Sequence, residues 1–381
     1  MLRVLRAPRL IASLLVVELL DELAGGTLGA ALPQIRSDLG LSYGQIGALF
    51  AIPAVVGNLI EVPFGLLADR GHRRRLVLGG GVAFTVALAV VAGAPTYGVL
   101  LVAFVVHYPA SGAFVTLSQA ILVDTDPARG EALMARWTLA GSVGVVAGPA
   151  LFAGVVALGG DWRLAVALVA SMFAISVVAV ARAPIGEATF DDGEDPPTWR
   201  DVVVAARQST VLTATALLHL SDLLGDVLTA FLALYLVDVA GLSPGAAALG
   251  LVVWAGAGLV GDALAVPLLD RADGRTVVRT SALVAGGLYA GVLLVAAVPA
   301  KLALIGLLGL STAGWYPVLQ ARFYATMPGR SGVAVSLGSA SGIAAGVIPL
   351  LLGLVAEQLG LAPMMWLLLA GPVALVAGLR R

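Results

Sequence analysis

Long apolar runs, each ended by a short polar or glycine-containing break, cover nearly the whole chain. A helix needs about 20 apolar residues to cross the hydrocarbon of a bilayer. On that ruler the sequence holds twelve spans, the first six starting near Leu10, Tyr43, Leu76, Tyr97, Leu133 and Arg163. The second six start near Ser209, Gly245, Val278, Leu302, Ser331 and Ala362. Spanning strands would instead need segments of about ten residues with strict alternation. Runs such as Leu76 to Val91 do not alternate, so the spans are read as helices. The predicted class is an all-α membrane protein with twelve transmembrane helices.

Composition changes the picture little but excludes much. Hydrophobic residues make up 60% and charged residues 12% of the chain, against about 25% charged in a soluble domain. That is too little charge to coat a globule, so a secreted globular enzyme, a nucleic-acid binder and a disordered scaffold are excluded. The net charge of −1 gives no general electrostatic case for a polyanionic partner. With no cysteine, disulfides, thiolate chemistry and cysteine metal sites are absent, and no cofactor is implied. Arg3, Arg6 and Arg9 ahead of an apolar run imitate a secretory signal. Glu18, Asp21 and Glu22 follow directly and the apolar stretch then resumes, so an uncleaved first helix is expected.

Loop charge sets an expected orientation. With the N-terminus inside, nineteen of the 22 Lys and Arg residues fall on the inner side, leaving Arg36, Arg163 and Lys301 outside. Cytoplasmic loops carry this excess, so both termini are expected in the cytoplasm and the chain in the plasma (inner) membrane. Pro184 to Asp201 is different: it holds Glu187, Asp191, Asp192, Glu194, Asp195 and Pro196–Pro197. Such an acidic, proline-containing stretch reads as a linker. The expected organisation is a six-helix bundle over 1–183, a cytoplasmic linker over 184–208 and a second bundle over 209–381.

The halves repeat. A shift of 201 residues places Gly40-Leu41-Ser42 on Gly241-Leu242-Ser243, Asp69-Arg70 on Asp270-Arg271, Arg74 on Arg275 and Gln119-Ala120 on Gln320-Ala321. Each half has an even number of helices, so the repeat is parallel about the membrane normal, a transporter arrangement with its site expected between the halves near the midplane.

Ionisable residues inside spans are costly and are functional by default. Glu18, Asp21 and Glu22 interrupt the first helix, Asp222 and Asp226 with His219 the seventh, and Glu61 and Asp262 the second and eighth. The same shift sets Glu18 on His219, Asp21 on Asp222 and Glu61 on Asp262. Glu18, Asp21, Glu22 and Gly25 follow one helical stripe, and His219, Asp222 and Asp226 repeat it. Seven such carboxylates face only His107 and His219 at comparable depth. Acids short of counter-charges favour their neutral form, so they can load and release protons as a cavity opens and closes. That chemistry favours a cationic or neutral substrate. Glu61 and Asp262, close to the cytoplasmic loops, are expected as a structural gate pair.

Gly65-Leu66-Leu67-Ala68-Asp69-Arg70-Gly71-His72-Arg73-Arg74-Arg75 resembles the signature loop of the major facilitator superfamily, echoed by Asp270-Arg271-Ala272-Asp273-Gly274-Arg275. Ala31 to Leu39 resembles the end of that family's first helix, and Asp161-Trp162-Arg163 the pair before its sixth. The resemblance implies a gate network of Gly65, Asp69, Arg70, Arg73, Asp270 and Arg271, and a cavity lined by the first, fourth, seventh and tenth helices. The fourth helix then offers His107, Tyr108 and Gln119, and the tenth Trp315, Tyr316 and Gln320. Tyr108-Pro109 and Tyr316-Pro317 mark expected kinks. Gly144-Val145-Val146-Ala147-Gly148-Pro149 resembles part of a drug–proton antiporter motif, with Leu151 and Phe152 where a Gly-Gly is expected. Small residues so spaced equally allow close helix packing.

The expected function is proton-coupled secondary transport of a small solute by alternating access, with efflux of a hydrophobic or cationic compound ahead of uptake symport of a polar one. Divalent-metal transport through oxygen and His ligands is a further reading, though no tight ligand spacing supports a metal site. A membrane receptor or enzyme stands as the different class. The partners expected are a small-molecule substrate, protons and the bilayer, with no nucleic acid, for a monomer.

Overall fold

The computed structural model describes residues 7–67, 72–125, 130–183, 199–269, 271–327 and 331–380. Among the described residues there are helices and turns and no strand. The spanning helices of the first half are α1 Ala7–Leu39, α2 Tyr43–Leu67, α3 Arg73–Gly93, α4 Tyr97–Thr125, α5 Gly130–Ala157 and α6 Trp162–Ala181. The second half has α7 Ser209–Val239, α8 Pro244–Leu269, α9 Gly274–Leu294, α10 Val298–Ala325 and α12 Leu361–Gly378. Between the last two lies α11, in two segments, Ser331–Ala345 and Ile348–Leu359. Among the described residues, eleven helices are long and apolar enough to cross a membrane. The remaining one is α1, whose apolar run is interrupted by charges that include Glu18, Asp21 and Glu22. Large apolar side chains stand on the outside: Ile175 is 70% exposed, Leu283 68% and Leu294 72%. An apolar exterior of this kind is a lipid-facing one.

The chain divides into two compact units, Met1–Asp192 and Gly193–Arg381. In the first, α1 lies against α5 and α6, α3 against α4 and α6, and α2 against α4. In the second, α8 packs on α10, α9 on α10 and α12, and α7 on α10 and α12. The short helix Trp199–Ala206 occupies the end of the stretch expected as a linker. Its Ala205 is buried with Val211, Phe323, Met327 and Leu337. That apolar contact draws the end of the linker into the second unit. Residues 184–198 lie outside the described residues.

The repeat has a local structural cause. Gly40 and Gly241, equivalent under the shift of 201, both take left-handed backbone, with φ 61° and 73°. Only glycine adopts this without penalty, and it ends a helix by turning the chain back on its last carbonyls. Accordingly Leu41 N donates to Arg36 O at 3.0 Å and Leu242 N to Leu236 O at 2.9 Å. Each following serine then starts the next helix. Ser42 Oγ accepts from Gln45 N at 3.2 Å while Gln45 Oε1 accepts from Ser42 N at 2.9 Å, a reciprocal cap. Ser243 Oγ accepts from Ala246 N at 3.3 Å.

Candidate functional site

The acids of α1 lie within one turn of each other and each meets a different neighbour. Ser111 Oγ of α4 donates to Asp21 Oδ1 at 2.9 Å. Glu18 fills the space beside Gly141 of α5, where a Cβ would lie 2.6 Å from its Oε1. Glu22 packs by its Cβ on Gly144, whose missing side chain also lets α5 reach the Leu19 carbonyl. One turn on, a Cβ at Gly148 would stand 2.5 Å from Leu23 O and 2.7 Å from Thr27 N. Thr27 Oγ1 donates across to Gly148 O at 3.2 Å. The glycines of α5 therefore let that helix lie directly on the acid-bearing turns. This is the packing use left open beside the antiporter resemblance.

Ser111 sits where α4 departs from regular geometry. Pro109 has no N–H to continue the ladder, and a π-turn, Gly112–Thr116, follows at once. Such turns re-aim side chains and recur at functional sites. His107 is directed elsewhere: its ring packs edge-on against Phe84 of α3 at 4.2 Å, and Phe84 stacks similarly on Phe173 of α6. Its Nε2 is buried with no hydrogen-bond partner among the described residues. Tyr108 lays its ring over Gly57 of α2, and Gln119 Nε2 is 3.8 Å from Met134 Sδ of α5.

In the second unit, helices break where the polar groups gather. The α-helix of α7 runs to Ser221, a 3-10 turn spans Asp222–Leu224, and helix resumes at Asp226. Non-helical backbone at membrane depth is tolerated where it lines a cavity or is buried in protein. His219 Nδ1 is 3.8 Å from Asp222 Oδ2, and its Nε2 is 2.8 Å from Ser341 Oγ of α11. Ser341 directs its own hydroxyl hydrogen to Gly338 O at 2.9 Å, so it accepts from the imidazole. The hydrogen-bond network thus assigns the proton to Nε2 and leaves Nδ1 facing the carboxylate.

Beside this pair lies a cavity of about 250 Å³ whose lining includes Thr215, His219, Asp222, Tyr316, Gln320 and Tyr324. Thr215 Oγ1 and Gln320 Oε1 are buried without a partner among the described residues. A buried unsatisfied group costs about 1–3 kcal/mol. Asp226, expected on the same stripe, is exposed and begins the resumed helix.

Helix α10 breaks too, at Ala313–Gly314, with Gly314 at φ 76°. The Gly314 N–H donates to Asp262 Oδ1 of α8 at 3.1 Å, so Asp262, expected in a gate pair, here secures the break. The kink expected at Tyr316–Pro317 falls just before them. Pro317 lies in the first turn of the resumed helix, where a missing N–H costs nothing. Trp315, expected in the cavity, is instead buried and donates from Nε1 to Ser281 Oγ of α9 at 2.8 Å. Tyr316, rotated about 100° further round the helix, does line the cavity. Among the described residues no three His, Asp or Glu side chains form a group able to hold a metal ion.

A family model described as Major Facilitator Superfamily matches residues 14–337. The chain belongs to that superfamily. This superfamily member is 30% identical over 251 residues to a chloramphenicol resistance protein of Streptomyces lividans. That match covers 64% of the chain and 62% of the relative, less than two thirds of its length. Among solved structures it resembles a POT family transporter in complex with a thioalcohol-conjugated peptide, with TM-score 0.78 and 13% identity over 97% of this chain and 94% of that one. It also resembles the nucleoside transporter NupG, with TM-score 0.76 and 14% identity over 98% of both chains. A bacterial homolog of the human lysosomal transporter Spinster gives TM-score 0.73 and 16% identity over 98% and 94%. At such identities the likeness shows the fold alone.

The superfamily's signature elements find concrete partners. The end of α1 and the start of α6 are tied together: Trp162 N donates to Gln34 Oε1 at 2.9 Å, and Trp162 Nε1 and Arg163 Nη2 share Asp38 Oδ2 at 3.2 and 2.8 Å. Arg163 Nη1 also donates to Ala94 O, ending α3. In the signature loop, Arg73 is buried and pairs with Asp124 Oδ2 of α4 at 2.6 Å, a partner sequence reasoning did not name. Asp124 has Ala325 at its repeat-equivalent position, so the internal comparison gave no signal. Arg74 donates to Ala181 O and Ala183 O at the end of α6. Arg271 is exposed. Asp69, Arg70 and Asp270 lie outside the described residues, as do the surroundings of the Glu61 side chain and of Gly65. Ser111, Ser341 and Thr215 were also missed; polar residues midway along apolar helices were the available sign.

Proposed function

We propose that this integral membrane protein is a proton-coupled secondary transporter that moves a small solute by alternating access, and that it works as an efflux antiporter for a hydrophobic or cationic compound. The observation that carries the reading is the interrupted α7, where His219 and Asp222 stand 3.8 Å apart at the wall of a cavity that Tyr316 and Gln320 also line. A proton and a donor-bearing solute would then draw on neighbouring groups. The carboxylates of α1, with Asp21 held by Ser111, supply a second proton-binding cluster. The 30% identical chloramphenicol resistance protein supports the outward direction. In this reading the bundles 1–183 and 209–381 are joined by the linker 184–208, both termini are cytoplasmic, and the protein is a monomer in the plasma (inner) membrane.

The test is proton movement in liposomes holding the purified protein and a pH-sensitive dye. Chloramphenicol and a panel of organic cations are added outside, for wild type, Asp21→Asn and Asp222→Asn. Antiport predicts alkalinisation inside as the compound enters, and loss of that signal in at least one variant. Interior acidification would make the protein a symporter. Solute uptake without any proton movement would end the coupling proposal.

A further inference from the structure

Away from the polar cavity, the second unit carries a separate cleft of about 540 Å³ at the end of the molecule where α9 begins and α12 ends. Its polar end is lined by Arg275 and Arg279, one turn apart on α9, and by Arg380 just beyond α12. Leu283 continues the α9 stripe and Val376 faces it from α12. Leu283 lies four residues beyond Arg279, about 6 Å deeper along the helix, and is 68% exposed.

The charge in the cleft is unbalanced. One carboxylate, Asp273, lines it and is already engaged, accepting from Thr276 N and Thr276 Oγ1 at 3.1 Å each. Arg275 spends its Nε on Leu379 O at 2.8 Å, which fixes the guanidinium at the seam between the helices. Among the described residues no ion pair is formed by Arg275, Arg279 or Arg380. Among the described lining residues, three guanidinium groups stand against one carboxylate above an exposed apolar wall.

We propose that this cleft binds an anionic phospholipid, with the phosphate held by Arg275, Arg279 and Arg380 and an acyl chain lying along Leu283 and Val376. Arginine forks match phosphate oxygens two at a time, and the apolar continuation below the charge is what a soluble phosphate would not need. The lipid would bridge α9 and α12 at their arginine-rich ends. This site shares no residue with the cavity of the proposed transport site, so it stands or falls independently of that reading.

The test is native mass spectrometry of the full chain in detergent, titrated with phosphatidylglycerol, with phosphatidylcholine and with soluble glycerol 3-phosphate. Wild type should take up phosphatidylglycerol at least tenfold more tightly than phosphatidylcholine, and glycerol 3-phosphate should not displace it. Replacing both exposed arginines, Arg279→Gln with Arg380→Gln, should weaken phosphatidylglycerol binding roughly tenfold or more. The pair Arg279→Lys with Arg380→Lys should recover it, separating lost charge from lost folding. Equal affinity for the two lipids, or unchanged binding in the glutamine variant, would overturn the proposal. Equally tight binding of glycerol 3-phosphate would also overturn it, making the cleft a site for a soluble phosphate.

Discussion

Gln320 presents an unusual situation for a single side chain: the residue lines a cavity, while its Oε1 is buried without a partner among the described residues. A glutamine kept for packing would lose stability when replaced, whereas one kept for a ligand is a liability in the empty protein. Gln320→Leu is therefore expected to leave the melting temperature of the ligand-free protein unchanged or raised. The same variant should weaken binding of its transported compound about tenfold, the effect of roughly 1.4 kcal/mol. A scanning-fluorimetry melt and an equilibrium binding titration check both halves. Gly148 makes the opposite case, since backbone atoms of α1 occupy the place a side chain would take. Gly148→Val should destabilise by about 1–3 kcal/mol, because neither helix can yield without losing its packing. An unchanged denaturation midpoint would show that α1 and α5 lie further apart.

At the scale of the element, the helices were legible because hydropathy is summed over some 20 positions, and their joints were legible because Gly40-Leu41-Ser42 and Gly241-Leu242-Ser243 act through adjacent backbone. Of the breaks within helices, those of α4 and α10 fall within a few residues of Pro109 and Pro317, but that of α7 was not legible. Nothing beside Asp222 marks a 3-10 turn, and the residue that orients His219 is Ser341, 122 positions away. Likewise the acids of α1 announce themselves by interrupting an apolar run, but their contacts with Ser111, Gly141 and Gly144 depend on which turns of α4 and α5 come alongside. Asp273 shows a cap that does follow local rules, and it yields a pH prediction. Its carboxylate accepts from the Thr276 backbone and side chain at the start of α9, which holds it below the ordinary carboxylate value of 3.8. A group depressed on folding stabilises above its unfolded pKa, and that contribution is lost as pH falls through the folded value. Melting followed downward from pH 6 should decline in the acid range below about 4. Asp273→Asn, which still caps a helix, should show a shallower decline there. Parallel curves would mean that the cap carries no titrating stability.

For the whole molecule, the distribution of charge and the path of the chain make a joint claim. Nineteen of 22 basic residues fall on one side if successive spans alternate, and the excess belongs to the cytoplasm. The absence of cysteine makes this directly testable, because any cysteine introduced is the single reactive thiol in the protein. His72 and Arg271 are exposed at turns expected inside, between α2 and α3 and between α8 and α9. Thr96 and Leu158 are exposed at turns expected outside, between α3 and α4 and between α5 and α6. In intact cells a membrane-impermeant maleimide should therefore label Thr96→Cys and Leu158→Cys, and should reach His72→Cys and Arg271→Cys only after permeabilisation. Because the two inner positions lie in different units, the same experiment tests the parallel repeat. Two helices, α7 and α8, separate the start of α7 from the turn at Arg271, just as α1 and α2 lead to His72. Labelling of Arg271→Cys from outside with His72→Cys protected would require an odd number of crossings between them, and the parallel repeat would fail.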